Sequence, residues 1–196
     1  MRFARSLALV VLTLGLTVTS AQASAILIVN GSGVLTGATG VNVGGTLYDV
    51  EFVDGTCVAL FTGCDSPSDF TFTTAADADV ASQALLDQVL LDTGVGAFDS
   101  NPALTFGCSS SNICFVDTPY AIPGLVDFRS AVNNPSGPDG LGPVSFPVTR
   151  DSTSLSLDVY ARWSPSPSPV PEPASLTLLG LGLAGMGARR WRQRKA

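Results

Sequence analysis

Two apolar segments, one near each end of the chain, limit the part of the 196 residues that can form a soluble core. The first runs from Leu7 to Val18, and the second runs from Ala174 to Ala188. As helices they span about 18 and 22 Å, which is less than the roughly 30 Å of a bilayer core. We therefore expect a folded domain over residues 24–163, between two ends that are processed or directed to a membrane.

The N-terminal segment has the parts of a secretory signal peptide. Arg2 and Arg5 supply the positive start, the apolar run follows, and Ala21 and Ala23 place small residues where signal peptidase requires them. We predict a signal helix over residues 1–23 that is cleaved after Ala23, with Ala25 as the second choice. An uncleaved membrane anchor is the alternative.

The C-terminal segment has three parts in a fixed order. Pro171, Glu172 and Pro173 come first, and the apolar run Ala174 to Ala188 follows. The chain then ends in a basic cluster made of Arg189, Arg190, Arg192, Arg194 and Lys195. Basic side chains remain among anionic cytoplasmic headgroups, so this cluster stops transfer. We predict a transmembrane helix and basic tail over residues 174–196.

This three-part order resembles the PEP-CTERM sorting signal of Gram-negative bacteria that produce exopolysaccharide. The resemblance implies that an exosortase, a membrane cysteine transpeptidase, recognises Pro171, Glu172 and Pro173 and removes the tail. It also implies a transient inner-membrane anchor, followed by delivery to the cell surface or extracellular matrix. A single-span anchor that is never cut is the alternative. The same tail is sometimes labelled an ice-binding protein C-terminal domain, but these residues give no support for ice binding.

Alternating prolines precede the tail. Five of the 13 prolines fall between residues 165 and 173. Proline fixes φ and removes a backbone donor, so this segment favours an extended polyproline II conformation. We predict a linker over residues 164–173 that holds the Pro-Glu-Pro motif clear of the folded domain.

The charge of the central region excludes several classes of function. Residues 24–170 contain 15 acidic side chains and only three basic ones, Arg129, Arg150 and Arg162. Such a domain repels phosphate backbones, so we expect no nucleic-acid partner. The chain has no histidine, which excludes histidine triads, histidine bases and histidine metal ligands.

Four cysteines, Cys57, Cys64, Cys108 and Cys114, predict two disulfides in an exported chain. Three pairings are possible. We favour Cys57 with Cys64 and Cys108 with Cys114, because each pair closes a short loop. A four-cysteine zinc site is the weaker alternative, since its usual C-x₂₋₄-C spacing is absent.

Period-two alternation predicts a mainly β domain. Thr46 to Val53 alternates after Gly44-Gly45, which is a hairpin signal, and residues 154–162 alternate again. Ala75 to Leu91 is instead amphipathic at helical spacing, with Thr74 as its cap and Gly94 as its stop. We expect an antiparallel, β-sandwich-like core with one amphipathic helix.

Candidate chemistry in the core is sparse. Glu51 with Asp54, or Asp77 with Asp79, could serve as an acid and a base in a secreted carboxylate-dependent hydrolase. The segments 65–69 and 133–139 offer oxygen ligands for weak calcium binding, as in a calcium-loaded adhesion module, but no calcium-loop motif is present. We predict no catalytic residues, no cofactor and no resident metal. The leading hypothesis is a structural, adhesion or surface role in exopolysaccharide.

Overall fold

Nine strands and two α-helices are present in the computed structural model, which describes residues 24–122 and 125–167. The strands are β1 (Ile26–Val29), β2 (Leu35–Val43), β3 (Thr46–Val53), β4 (Asp92–Thr93), β5 (Gly96–Ala97), β6 (Cys114–Ile122), β7 (Leu125–Asn133), β8 (Gly140–Ser145) and β9 (Asp158–Pro165). The helices are α1 (Cys57–Leu60) and α2 (Ala75–Gln88). The predicted signal helix and transmembrane helix lie outside the described residues. Within those residues, no helix has the length and apolar character to cross a membrane.

Seven strands form one sheet in the order β1-β2-β3-β9-β6-β7-β8, and β4 and β5 form a separate hairpin. Neighbouring strands are antiparallel except β6 and β9, which are parallel. The prediction of a mainly β fold is confirmed, but the predicted sandwich is wrong. Alternation shows that one side of a strand is buried without showing what covers it, and here helices and loops, not a second large sheet, cover the strands.

The hairpin between β2 and β3 forms where the sequence places it. Gly44 and Gly45 have φ values of 59° and 93°, the left-handed conformation that two-residue hairpin turns require. Val50 and Phe52 of β3 are buried, as the alternation predicts. β2 begins at Leu35, and an irregularity in its pairing with β3 lies between Ala38 and Val41.

Helix α2 covers one face of the sheet. The Thr74 hydroxyl accepts a hydrogen bond from the Asp77 amide, which confirms the predicted cap. Ala78, Ala81 and Leu85 are fully buried against the strands. The helix ends at Gln88, before the predicted Leu91, where the Gln88 side chain hydrogen-bonds both backbone groups of Asn42 at 2.9 Å.

The opposite face is covered only over part of its area, by α1 and the chain that follows it. Phe61 and Phe70 pack there with Tyr160 and Phe128 in a second hydrophobic cluster. Phe72, only two residues after Phe70, belongs instead to the cluster under α2. The segment between them therefore passes from one face of the sheet to the other beside β9, where the Thr71 hydroxyl donates to the Trp163 carbonyl at 2.6 Å.

The structure pairs Cys57 with Cys64 and Cys108 with Cys114, the pairing that the short loops favour. The Cα–Cα distances are 5.7 and 5.8 Å, within the usual range for disulfides. All four cysteine side chains are buried. Cys57 lies at the start of α1, so the first disulfide closes the loop that covers the second cluster.

Replacing Cys57 and Cys64 together by serine is expected to lower the free energy of unfolding by about 2.5 kcal/mol, because the closed loop no longer restricts the unfolded chain. The melting temperature of the secreted protein should fall by roughly 5–10 °C. The double variant Cys108→Ser, Cys114→Ser is the matched comparison. Its disulfide closes a loop of nearly the same length, so its melting temperature should fall by a similar amount. An unchanged melting temperature in both variants would contradict a stabilising role.

The last strand, β9, runs two residues into the segment predicted as linker. Its pairing with β3 continues from Val53–Tyr160 to Tyr48–Pro165. Beyond the strand, the Ser166 amide donates to the Leu47 carbonyl at 3.0 Å, and the Ser166 hydroxyl donates to Asp49. The fold therefore holds the chain as far as Ser166. The strand also starts later than the alternation indicates, at Asp158, because residues 152–154 form a 3-10 turn.

Candidate functional site

An open groove lies on the face of the sheet that α1 covers only in part. Its floor is a row of paired residues across four strands, in which Ile28 lies opposite Gly37, Gly37 opposite Glu51, and Glu51 opposite Arg162. Gly37 has no side chain, so the row is interrupted between Ile28 and Glu51. The groove has a volume of about 630 Å³. Its side chains include Ile28, Thr36, Thr39, Asp49, Glu51, Phe106, Arg162 and Ser164.

Charged groups of both signs occupy the centre of this groove. Arg162 Nη2 donates to Glu51 Oε2 at 2.6 Å, and the two side chains are 45% and 61% exposed. An exposed ion pair contributes little to stability. A guanidinium has five N–H donors and a carboxylate has several acceptor positions, so most of both remain open to a ligand. Asp49, at the edge, accepts from the Gly40 amide at 2.9 Å and from the Ser166 hydroxyl.

Apolar side chains border the polar centre. Ile28 is 45% exposed on β1, and Phe106 is 37% exposed where the chain runs beside the start of β2. The Phe106 amide donates to the Leu35 carbonyl at 2.8 Å, which fixes the aromatic residue at that position. The groove therefore combines hydrogen-bonding groups with apolar surface, the combination that small-molecule and glycan sites use.

The predicted carboxylate pairs have other partners in the structure. Glu51 contacts Arg162, whereas Asp54 accepts a hydrogen bond from the Ser152 hydroxyl at 2.8 Å. Burial and the charge of Asp151 raise the pKa of Asp54, and the Ser152 hydrogen bond opposes this shift. Asp77 accepts from the Thr74 hydroxyl at the start of α2. Asp79 pairs with Arg129 at 3.2 Å.

In the segments named for calcium, the carboxylates of Asp69 and Asp139 accept hydrogen bonds from the protein's own backbone. Asp69 accepts hydrogen bonds from the amides of Asp65 and Ser66, and Asp139 accepts from the Asn134 amide. Among residues 24–122 and 125–167, no three acidic, histidine or cysteine side chains come together as a metal site requires. Weak calcium binding stays a prediction.

A buried charged cluster lies on the same face as the groove but beneath its covered part. Asp117 is 1% exposed, and its carboxylate accepts a hydrogen bond from the Ser130 hydroxyl. Arg150 Nη2 lies 3.0 Å from Asp158, and Arg150 Nη1 lies 4.0 Å from Asp117. Burial, assisted by the charge of Asp158, raises the pKa of Asp117 to about 7, although Ser130 and Arg150 oppose the shift.

Burial also raises the pKa of the neighbouring Tyr160 to about 12. Its hydroxyl donates to the Arg150 carbonyl at 3.4 Å. A perturbed carboxyl often marks a functional site, but a ligand can use such a group only where the group is accessible. Asp117 is enclosed, so we infer that this cluster is part of the folded core and does not bind a ligand. No local sequence pattern predicts this cluster, because its members are far apart along the chain.

The residues predicted for processing lie outside the described residues. These are Ala23, Pro171, Glu172, Pro173 and the basic cluster from Arg189 to Lys195. The family model of the PEP-CTERM protein-sorting motif matches residues 169–194. The chain carries a PEP-CTERM sorting signal. No curated protein and no solved structure matches the chain.

The PEP-CTERM signal confirms the resemblance that the Pro-Glu-Pro motif, apolar run and basic cluster predict. It implies export, a membrane-anchored tail before processing, and processing by an exosortase. The match begins three residues after Ser166, whose amide donates to the Leu47 carbonyl of β3. The groove borders that exit, because Ser164 and Asp49 line it.

Proposed function

We propose that the exported domain is a non-enzymatic protein of the cell envelope or extracellular matrix, and that its groove binds a polysaccharide chain. The observation that carries the proposal is the exposed Glu51–Arg162 pair in a groove bordered by Ile28 and Phe106. Sugar hydroxyls both donate and accept hydrogen bonds, and a carboxylate beside a guanidinium offers both complements at one place. The C–H faces of sugar rings pack on aromatic and aliphatic side chains.

The net negative charge of the domain limits the class of polysaccharide that can bind in the groove. The domain carries 15 acidic side chains against three basic ones, and the groove itself has Asp49 and Glu51 against a single arginine. Acidic polysaccharides are repelled by such a surface. A neutral chain is not repelled, so neutral exopolysaccharide is the ligand that fits this groove.

A binding experiment on the processed protein tests the proposal. We expect the secreted protein to be retarded in gels that contain the neutral exopolysaccharide of the producing cells. Glu51→Ala should weaken the binding about tenfold, as loss of a hydrogen bond to a charged group does. Asp87→Ala is the matched control, because Asp87 is an exposed carboxylate with one polar partner, Gln83, on α2.

The other outcomes separate the alternatives. Equal retardation of wild type and Glu51→Ala would contradict the groove as the binding site. Shortening of the polysaccharide by wild type but not by Glu51→Ala would identify a carboxylate-dependent hydrolase instead. Binding that requires added calcium would identify a calcium-loaded adhesion module.

A further inference from the structure

We infer that the outer edge of β1 is a self-association surface, through which two copies of this chain pair β1 with β1 in an antiparallel, two-fold symmetric dimer. β1 is the first strand of the sheet order, and within the described residues only β2 pairs with it. Its outer backbone groups are therefore free to continue the sheet. Its side chains, Ile-Leu-Ile-Val, are all apolar.

Two isoleucines protrude from this edge strand. Ile26 is 69% exposed and Ile28 is 45% exposed. They are two residues apart on a strand, so they lie on the same face of the sheet. Their neighbours Leu27 and Val29 pack instead against the main hydrophobic cluster. Pairing with a second β1 would remove apolar surface of both isoleucines from water.

The distribution of charge identifies a second copy as the occupant. Between residues 24 and 170 the chain has 15 acidic and three basic side chains, so two copies repel one another over most of their surface. Residues 24–48 form an exception, because they contain no charged side chain. This stretch contains β1, β2 and the first three residues of β3. This edge is therefore where like-charged copies can approach most closely.

The opposite edge of the sheet is protected, which favours a closed dimer over a filament. β8 contains Pro143, which lacks a backbone donor, and Asp139 lies directly before the strand. Prolines and charges are the usual devices that keep an edge strand from pairing. Pairing of β1 with β8 would generate an open chain of subunits, whereas pairing of β1 with β1 closes after two.

The two-fold geometry also joins the grooves. In antiparallel edge pairing the symmetry axis is perpendicular to the sheet, so both copies present the same face on the same side. Ile28 lines the groove and lies on the pairing strand. The two grooves would then form one continuous surface across the dimer. The pairing itself does not depend on the ligand of the groove.

Sedimentation velocity on the processed protein from the medium tests the inference. Four paired residues per copy give a small interface, so we expect a weak equilibrium that shifts from monomer to dimer over about 5 to 500 μM protein. Because the copies are like-charged, added salt should strengthen the dimer. Ile26→Asp should raise the dissociation constant at least about tenfold. Leu141→Asp is the matched control, since Leu141 is an apolar residue 39% exposed on β8.

The following results of the sedimentation experiment overturn the inference. A wild type that stays monomeric over the whole range excludes the dimer. A dimer that Ile26→Asp leaves intact forms elsewhere on the surface. Loss of association in Leu141→Asp as well, or species larger than a dimer, indicates head-to-tail pairing of β1 with β8. Unchanged melting temperatures of both variants, measured alongside, show that the substitutions act on association and not on folding.

Discussion

Processed protein is expected to disappear from the medium when Glu172 is replaced by alanine. Glu172 is the sole charged residue between Arg162 and Arg189, and it lies between two prolines that limit its backbone freedom. An enzyme that binds the Pro-Glu-Pro motif can therefore recognise only one carboxylate in this segment, that of Glu172. Without it, the full-length tail should remain attached, and the precursor should accumulate in the inner-membrane fraction. Immunoblots of membrane and medium, with intact mass measured on both, give the result.

Glu51→Ala provides the control for this experiment. Glu51 is the only other glutamate in the chain, and it lies in the folded domain, where it pairs with Arg162. Its loss should leave processing unchanged. Equal amounts of mature protein from wild type and Glu172→Ala would contradict recognition through this carboxylate. Secreted wild-type protein that still contained Ala196 would contradict processing altogether.

The second large effect concerns the pH dependence of stability. Burial holds the pKa of Asp117 at about 7 in the folded protein, against 3.8 for an ordinary aspartate. Between these two pH values the folded state keeps a proton that the unfolded chain has released. Stability is therefore greatest at the acidic end and falls as the pH rises through this window, by roughly 4 kcal/mol in total. Wild type should melt at a clearly higher temperature at pH 5 than at pH 7.5.

Asp117→Asn should remove most of this dependence. Asparagine has the same size, can still accept the Ser130 hydroxyl through Oδ1, and does not titrate. Its melting temperature should exceed that of wild type at pH 7.5 and vary little between the two pH values. Asp87→Asn, an exposed change on α2, should retain the wild-type slope. An Asp117→Asn variant with the wild-type slope would show that another group carries the proton.

The features that sequence reasoning predicted are those determined by neighbouring residues. Gly44-Gly45 specifies a tight hairpin because it supplies two residues with positive φ. Thr74 followed by Asp77 specifies a helix start, because the hydroxyl can accept the Asp77 amide. The sorting signal is similar, since its three parts are adjacent in the chain.

The features that it missed depend on residues far apart in the chain. The parallel pairing of β6 with β9 has no local signature, because the two strands are far apart in the chain and a parallel pair needs a long connection between its strands. The segment 133–139, named above only for its oxygen ligands, connects two strands, because β7 ends at Asn133 and β8 begins at Gly140. The groove combines Ile28, Glu51 and Arg162 from three strands, and their register is a property of the whole sheet.

The position of β9 has a consequence for the order of events during secretion. It is the last strand among the residues that the structure describes, yet it lies between β3 and β6 near the middle of the sheet. Until residues 158–165 have been exported, β3 and β6 have no shared neighbour, and the sheet is left as two unjoined halves with open edges. The PEP-CTERM sorting signal follows directly, since its match begins at residue 169 and β9 ends at Pro165. Completion of the fold is therefore coupled in time to arrival of the sorting signal. A prematurely terminated chain would have neither the complete sheet nor the signal, and its open strand edges would be accessible to proteases.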